Sequence, residues 1–281
     1  MYRRRGSNPY GGIPQQRRGR SAGTGRFKIF LIIGLIMAGY HTIKYLGSTQ
    51  ENPITGEMQR ISWSMDEEIA LGIQSAPQMV QQYGGLHPDQ RAQDMVDEIG
   101  AKLVRTTVAS QSEYPFDFHL LNDDRTVNAF ALPGGQCFIT SALYNRLKSI
   151  DQLAGVLGHE IGHVLHRHSA VRMQRGTFIQ GLINSVMIGS GGDMSMAQVA
   201  NVIGQMGSMK YGRDQELESD EWGVRLMIEA GYNPEELIKV MDILEEANGA
   251  SSRGTDFTSS HPSPENRREK IKDAIKRYKN G

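Results

Sequence analysis

Cysteine is almost missing: Cys137 is the single one in 281 residues. An intramolecular disulfide is therefore excluded. So are zinc sites built on four cysteines, or on two cysteines with two histidines. Any metal must be held by histidine and carboxylate. Cys137 lies in no activating pattern and reads as a small strand residue. Acidic residues are missing from residues 1–28, which carry eight Arg and Lys. The rest of the chain then holds 23 basic against 31 acidic residues. Such a body gives no electrostatic case for nucleic acid, and none is expected as a partner. Internal repeats are also absent.

Long apolar runs are missing with one exception, the uncharged 15-residue stretch "IFLIIGLIMAGYHTI" at 29–43. Lys28 and Lys44 bound it. Snorkelling by Lys44 lets a helix reach about Gly47, close to the ~20 residues a span needs. A buried core helix and a cleaved signal peptide fit less well, since no A-x-A site follows. The expectation is one transmembrane signal anchor over 28–47. The Arg-rich side stays in the cytoplasm, which puts the body on the periplasmic or other extracytoplasmic side. The same tail also resembles a mitochondrial presequence.

The chain divides into a basic tail of low complexity (1–27), the anchor (28–47), a polar linker (48–63) and one folded domain (64–281). Capping boxes are expected at "SMDE" (64–67) and "SIDQ" (149–152), each opening a helix. Residues 87–107 read as a helix with Met95, Ile99 and Leu103 on its apolar side. Residues 115–141 read as a sheet of two or three strands. Residues 177–208, Met-rich and broken by "GSGGD", read as a helical hairpin. "NPEE" (233–236) and a C-terminal helix complete a mainly helical α+β pattern.

Chemistry concentrates in "GHEIGHVLHRH", residues 158–168. On a helix His159 and His163 are one turn apart on one face, so two imidazoles can meet on one zinc ion. Glu160 is turned about 100° away, beside the position of a metal-bound water, as a general base requires. His166 shares the face but lies roughly 10 Å along the axis from His159, so it is expected to pack nearby without ligating. His168 is expected on the opposite, solvated side. The metzincin pattern is excluded, because His166 and Ser169 stand where it needs glycine and histidine. A third ligand must come from elsewhere. "ELESD" (216–220) offers Glu216 as ligand and Asp220, one turn on, as hydrogen-bond partner of a ligand imidazole. Glu218 is the rival ligand, about 200° from Glu216. Spacing from Asp220 favours Glu216.

Four segments together resemble one family. "NAFALPGG" (128–135), "GHEIGHVLHRH", "GRDQELESDEWG" (212–223) and "HPSPENR" (261–267) occur in the order seen in the gluzincin peptidases of HtpX and the CAAX prenyl protease. The likeness is nearest to single-anchor periplasmic LoiP/BepA-like members and mitochondrial inner-membrane relatives. It implies a zincin fold with a small edge sheet, and one zinc per chain held by His159, His163 and Glu216. It implies Glu160 as catalytic base and His261 near the metal, as oxyanion donor or on the open zinc position at rest. Asn128, Ala129, Phe130, Ala131, Pro133 and Gly134 would form an edge strand and turn that take an extended substrate. Arg213 is expected in a structural ion pair. No repeat-containing C-terminal extension follows.

The function implied is a membrane-anchored zinc metalloendopeptidase acting on misfolded membrane or envelope proteins. The alternative is a membrane-anchored chaperone or adaptor that keeps the fold. A zinc aminopeptidase would need an acidic motif for the substrate amine, and none is found.

Overall fold

The computed structural model describes residues 23–189, 212–250, 257, 260–261 and 266–279. The second arm of the expected hairpin and residues 262–265 of "HPSPENR" lie outside them. The fold is mainly helical with two small sheets, as the α+β reading expects. Helix α1 (Gly23–Gly47) contains the one helix among the described residues that is long and apolar enough to cross a membrane, Lys28–Gly47.

Residues 48–63, read as a polar linker, form a hairpin of β1 (Thr49–Glu51) and β2 (Met58–Arg60), with Thr49 opposite Arg60. "NPITG" is a turn with a mechanism. The Asn52 carboxamide oxygen accepts from the backbone of Ile54 and Thr55, and Gly56 takes φ 73°. Its polar faces are visible in the sequence. Its docking is not, because the hairpin pairs with a helix end more than 100 residues away.

Helices α2 (Met65–Gln82) and α3 (Gln90–Arg105) follow. The Ser64 capping box is formed in both directions. On α3 the buried side carries Val96, Ile99 and Leu103, while Met95 is exposed. The expected apolar side is therefore one residue off at the first of these positions. The second sheet comprises β3 (Asp117–Leu121), β4 (Ala129–Ala131) and β5 (Gln136–Thr140), in the order β3-β5-β4. β3 runs parallel to β5 and β4 antiparallel to it, with Phe130 opposite Phe138. β4 is thus an edge strand. Cys137 is fully buried on β5.

After the short α4 (Ser141–Tyr144) comes α5 (Ile150–Leu165). Every residue from Gln152 to Leu165 is buried, so α5 is the central helix of the core. Only half of the expected box at its start forms. Ser149 accepts from the Gln152 backbone, but the Gln152 side chain turns to Lys148 and Glu236. Around α5 pack α3, the sheet, α7 (Arg213–Glu229) and α8 (Glu236–Ala250). α9 (Arg267–Lys279) closes over α7. α6 (His168–Gly189) leaves the core and lies along α1, where Tyr45 stacks on Phe178 at 4.2 Å.

Between α5 and α6 the chain turns at Arg167, the one non-glycine described residue with positive φ, 54°. The left-handed conformation costs a residue with a Cβ on the order of 1–2 kcal/mol, so something must hold it. The Arg167 guanidinium is buried on Glu68 of α2, with Nε 2.9 Å from Oε1, and it donates to the Trp63 carbonyl. The Tyr114 hydroxyl donates to the other Glu68 oxygen at 2.9 Å. Burial pushes the Glu68 carboxyl up from its ordinary value, against the pull of Arg167 and Tyr114. Removing one partner strands a buried charge. Glu68→Ala is expected to destabilise the full chain by about 3–5 kcal/mol. Urea unfolding should show a lower midpoint with an unchanged slope.

Candidate metal centre

The centre forms where α5 and α7 approach closely. A Cβ on Gly162 would lie 3.0 Å from the Ser219 carbonyl oxygen, and one on Gly223 would lie 3.2 Å from the His159 nitrogen. Only glycines permit that approach, and it sets Glu216 against the histidines of α5. The structure brings His159, His163, Glu216 and His261 together, all fully buried, with donor atoms within 4.8 Å of one another. His159 Nε2 and His163 Nε2 are 3.0 Å apart. Glu216 Oε2 lies 3.5 Å from His159 Nε2, and Oε1 lies 3.5 Å from His163 Nε2. His261 Nδ1 is 3.1 Å from Glu216 Oε1 and 3.4 Å from His159 Nε2.

These separations fit a metal. Zinc–nitrogen bonds of about 2.0–2.1 Å put neighbouring corners of a tetrahedron about 3.3–3.4 Å apart. The charges fit as well. Glu160, Glu216 and Asp220 are buried carboxylates, and Arg267 is the buried guanidinium among them. With all three carboxylates ionised and the imidazoles neutral, the group would carry two uncompensated negative charges, which one divalent cation would balance. Among the described residues neither oxygen of Glu160 has a hydrogen-bond partner, and the nearest cationic candidate is His261 Nε2 at 3.8 Å.

Electrostatics separates the groups. Burial raises the Glu160 carboxyl, against the pull of His261 and His159. Burial also acts to raise Glu216, but His261 and the hydrogen bonds from His159, His163 and His261 outweigh it and hold the carboxyl well below its usual range. Burial acts to lower His159, yet its hydrogen bonds to Asp220 and Glu216 bring it up to about 9. His163 is pushed well below its ordinary value by burial.

Asp220 sits where the spacing predicts, one turn from Glu216. Its Oδ1 is 2.9 Å from His159 Nδ1, so it fixes that ring. The sequence reading misses its partner. Arg267 donates to Asp220 Oδ2 at 2.6 Å and Oδ1 at 2.8 Å, and reaches Glu216 Oε2 at 3.4 Å. Arg267 is the last residue of "HPSPENR", so the segment is in view in the sequence but this role is not. Arg213, expected to make an ion pair, is exposed at the first turn of α7. Phe257, also missed, stacks on His261 at 4.4 Å and bonds through its backbone to Val127, which docks His261 beside β4.

Two further histidines test the sequence reading, and one corrects it. His168 is not solvated; it is 2% exposed, with Nδ1 2.8 Å from His163 Nδ1 and Nε2 3.0 Å from Glu218 Oε2. The reason is the left-handed turn at Arg167, which ends α5 and swings the chain back. His166 is buried edge-on against Trp222, outside the four-donor cluster, as its axial distance requires. Glu218, the rival ligand, faces His168 instead.

On β4, pairing with β5 turns the backbone of Asn128 and Phe130 inward. The Asn128 carbonyl accepts from Thr140, and Leu132 donates to Gln136. By antiparallel alternation the backbone groups of Ala129 and Ala131 face away from β5, beside α5, where the Ser169 hydroxyl donates to the Ala131 carbonyl at 3.5 Å. Pro133 and Gly134 form the turn, where φ 79° and a Cβ that would meet the Ile69 backbone at 2.4 Å each require glycine at 134.

The chain is similar to several known proteins. A beta-barrel assembly-enhancing protease of Yersinia pestis is 28% identical over 245 residues, 84% of this chain and 50% of that protein. The Escherichia coli protein of the same name is 27% identical over 247 residues, covering 84% and 49%. The mitochondrial metalloendopeptidase OMA1 of Schizosaccharomyces pombe is 26% identical over 248 residues, covering 86% and 71%. The chain spans about half the length of these bacterial relatives. The model of peptidase family M48 matches residues 90–275, which include every residue of the centre from His159 to Arg267, and the chain belongs to that family.

Proposed function

We propose that the chain is a zinc metalloendopeptidase, with α1 as its membrane anchor and residues 64–281 as its peptidase domain. The observation that carries this is the convergence of two imidazole nitrogens and a carboxylate at 3.0–3.5 Å beside a buried glutamate with no hydrogen-bond partner. His159, His163 and Glu216 would hold the metal, and two histidines with one glutamate are a donor set suited to catalytic zinc. When bound, zinc supplies a Lewis acid that polarises the scissile carbonyl and acidifies a water.

The remaining chemistry belongs to the chain. An extended peptide would add to the edge of β4 through the backbone of Ala129 and Ala131, displacing the Ser169 hydroxyl from the Ala131 carbonyl. Glu160 takes a proton from the attacking water and delivers it to the leaving amine, and no acyl-enzyme is needed. Its burial keeps competing solvent away and raises its carboxyl, which suits it to holding and passing on a proton. Asp220, held by Arg267, keeps the His159 ring aimed at the centre. His261 Nδ1 lies close to both Glu216 and His159, so it would join the residues holding the metal at rest and would have to move aside to admit a substrate.

The relatives' names speak of beta-barrel assembly and of mitochondria. With an arginine-rich N-terminus and one apolar helix, they support unassembled or misfolded membrane and envelope proteins as substrates. We place the peptidase domain on the extracytoplasmic side because the arginine-rich residues precede α1. An adaptor keeping the fold would need none of the charge arrangement around Glu160.

Glu160→Gln is expected to retain the wild-type metal content, about one zinc per chain, while peptide cleavage falls by about 10²–10⁴-fold. Metal analysis alongside casein cleavage by the full chain checks both. Equal function in the variant would favour the adaptor. His261→Ala is expected to raise cleavage of an unstructured substrate severalfold. Progress curves for the two proteins at equal zinc occupancy give the comparison.

A further inference from the structure

The two histidines of the centre are held differently. His159 meets a carboxylate directly, at Asp220. His163 meets His168, nitrogen to nitrogen, at 2.8 Å, and His168 in turn meets Glu218 at 3.0 Å. Two Nδ1 atoms in contact require one to carry the proton and the other a lone pair. If His163 turns its Nε2 lone pair to a metal, its single proton is on Nδ1, and His163 is the donor. His168 Nδ1 then accepts, so the His168 proton is on Nε2, where Glu218 Oε2 receives it. Ser219 Oγ, 3.3 Å from His168 Nδ1, is placed to donate to the same lone pair.

We propose that His168 and Glu218 form a relay that positions His163, fixing its tautomer and strengthening it as a metal ligand. The proposal rests on the metal reading above. α7 then serves the whole centre: Glu216 faces the metal, Asp220 orients one imidazole, and Glu218 orients the other through His168. The stagger of "ELESD" explains the division. Glu216 and Asp220 share a face, and Glu218 points to the other side of the helix, where His168 lies. His168 is inside, whereas the Glu218 side chain is 40% exposed and lines a cavity of about 430 Å³ beside the β1–β2 hairpin.

The hairpin braces the relay at the turn. Asn52 Nδ2 donates to the Leu165 carbonyl at 2.8 Å, and Gln59 Nε2 donates to the His166 carbonyl at 2.8 Å. A second metal on His166, His168 and Glu218, whose donor atoms also lie within 4.8 Å, fits less well. The His166 and His168 rings stack at 27°, so their in-plane lone pairs run nearly parallel and do not converge on one ion.

The test is zinc affinity of the detergent-solubilised full chain, measured by competition with a chromophoric chelator. The visible spectrum of the cobalt-substituted protein is recorded alongside. His168→Ala is expected to weaken zinc binding by about 10–100-fold, the usual effect of removing an outer partner of a metal-bound histidine. The cobalt spectrum is expected to shift. If that variant does not fold, Glu218→Gln, a half-exposed change, serves in its place. It is expected to weaken binding in the same direction, Glu218→Asp to restore most of it, and Glu218→Gln to add nothing in the His168→Ala background. Wild-type affinity and spectrum in both variants would overturn the relay and leave the metal centre standing. A Glu218→Gln loss that persists without His168 would also overturn it. A wild-type chain that binds no zinc would overturn the metal reading itself.

Discussion

Three carboxylates and one guanidinium share a dry pocket, and the rest of the structure depends on keeping that charge balanced. Burying an unpaired charge costs several kcal/mol, so each group must find a partner or a proton. Asp220 takes Arg267 and His159. Glu216 faces three histidines. Glu160 is left with no hydrogen-bond partner and responds by holding its proton more tightly. That spread among three acids within one centre is what a site needs if one carboxylate is to stay ionised as a ligand and another is to exchange protons.

Access of backbone to backbone makes the balance possible. Gly162 and Gly223 let α5 and α7 close to a distance at which side chains meet across the seam. α9 then lays Arg267 over the same seam, and Phe257, bonded to Val127, brings His261 to it from the sheet side. The centre is therefore built from elements more than 100 residues apart in sequence, around one fully buried helix. The hairpin beyond α1 reaches the same place from the N-terminal side, capping the end of α5. α1 and the centre are thus joined through a few hydrogen bonds rather than through a loose tether.

Much of this is legible in the sequence because it is local. The turn spacing of His159 and His163, the stagger of Glu216, Glu218 and Asp220, and the Ser64 capping box follow from helix geometry that any sequence of this pattern would adopt. Strand β4 is readable from its alternation and its Pro-Gly-Gly turn. What fails depends on contacts that no window contains. Read locally, α5 runs on to His168, because an arginine carries no signal for a left-handed turn. That turn exists only because Glu68 and Trp63, about 100 residues earlier, hold the Arg167 guanidinium. The same turn brings His168 inside, where helical spacing would leave it in solvent. Val96 replaces Met95 on the buried face because the packing of α3, not its period alone, chooses between neighbours.

By itself, then, the sequence determined the donor residues' spacing, their helical carriers and the absence of any cysteine site, since these are properties of short segments and of composition. Only the tertiary structure decided that Arg267 is the counter-charge and that His163 rests on His168. It alone set His261 beside Glu216 and His159 and turned the linker into a brace. Each of these is a contact between distant segments. Its energy comes from burying charge and hydrogen-bonding groups together, which exists only once the chain has closed around them.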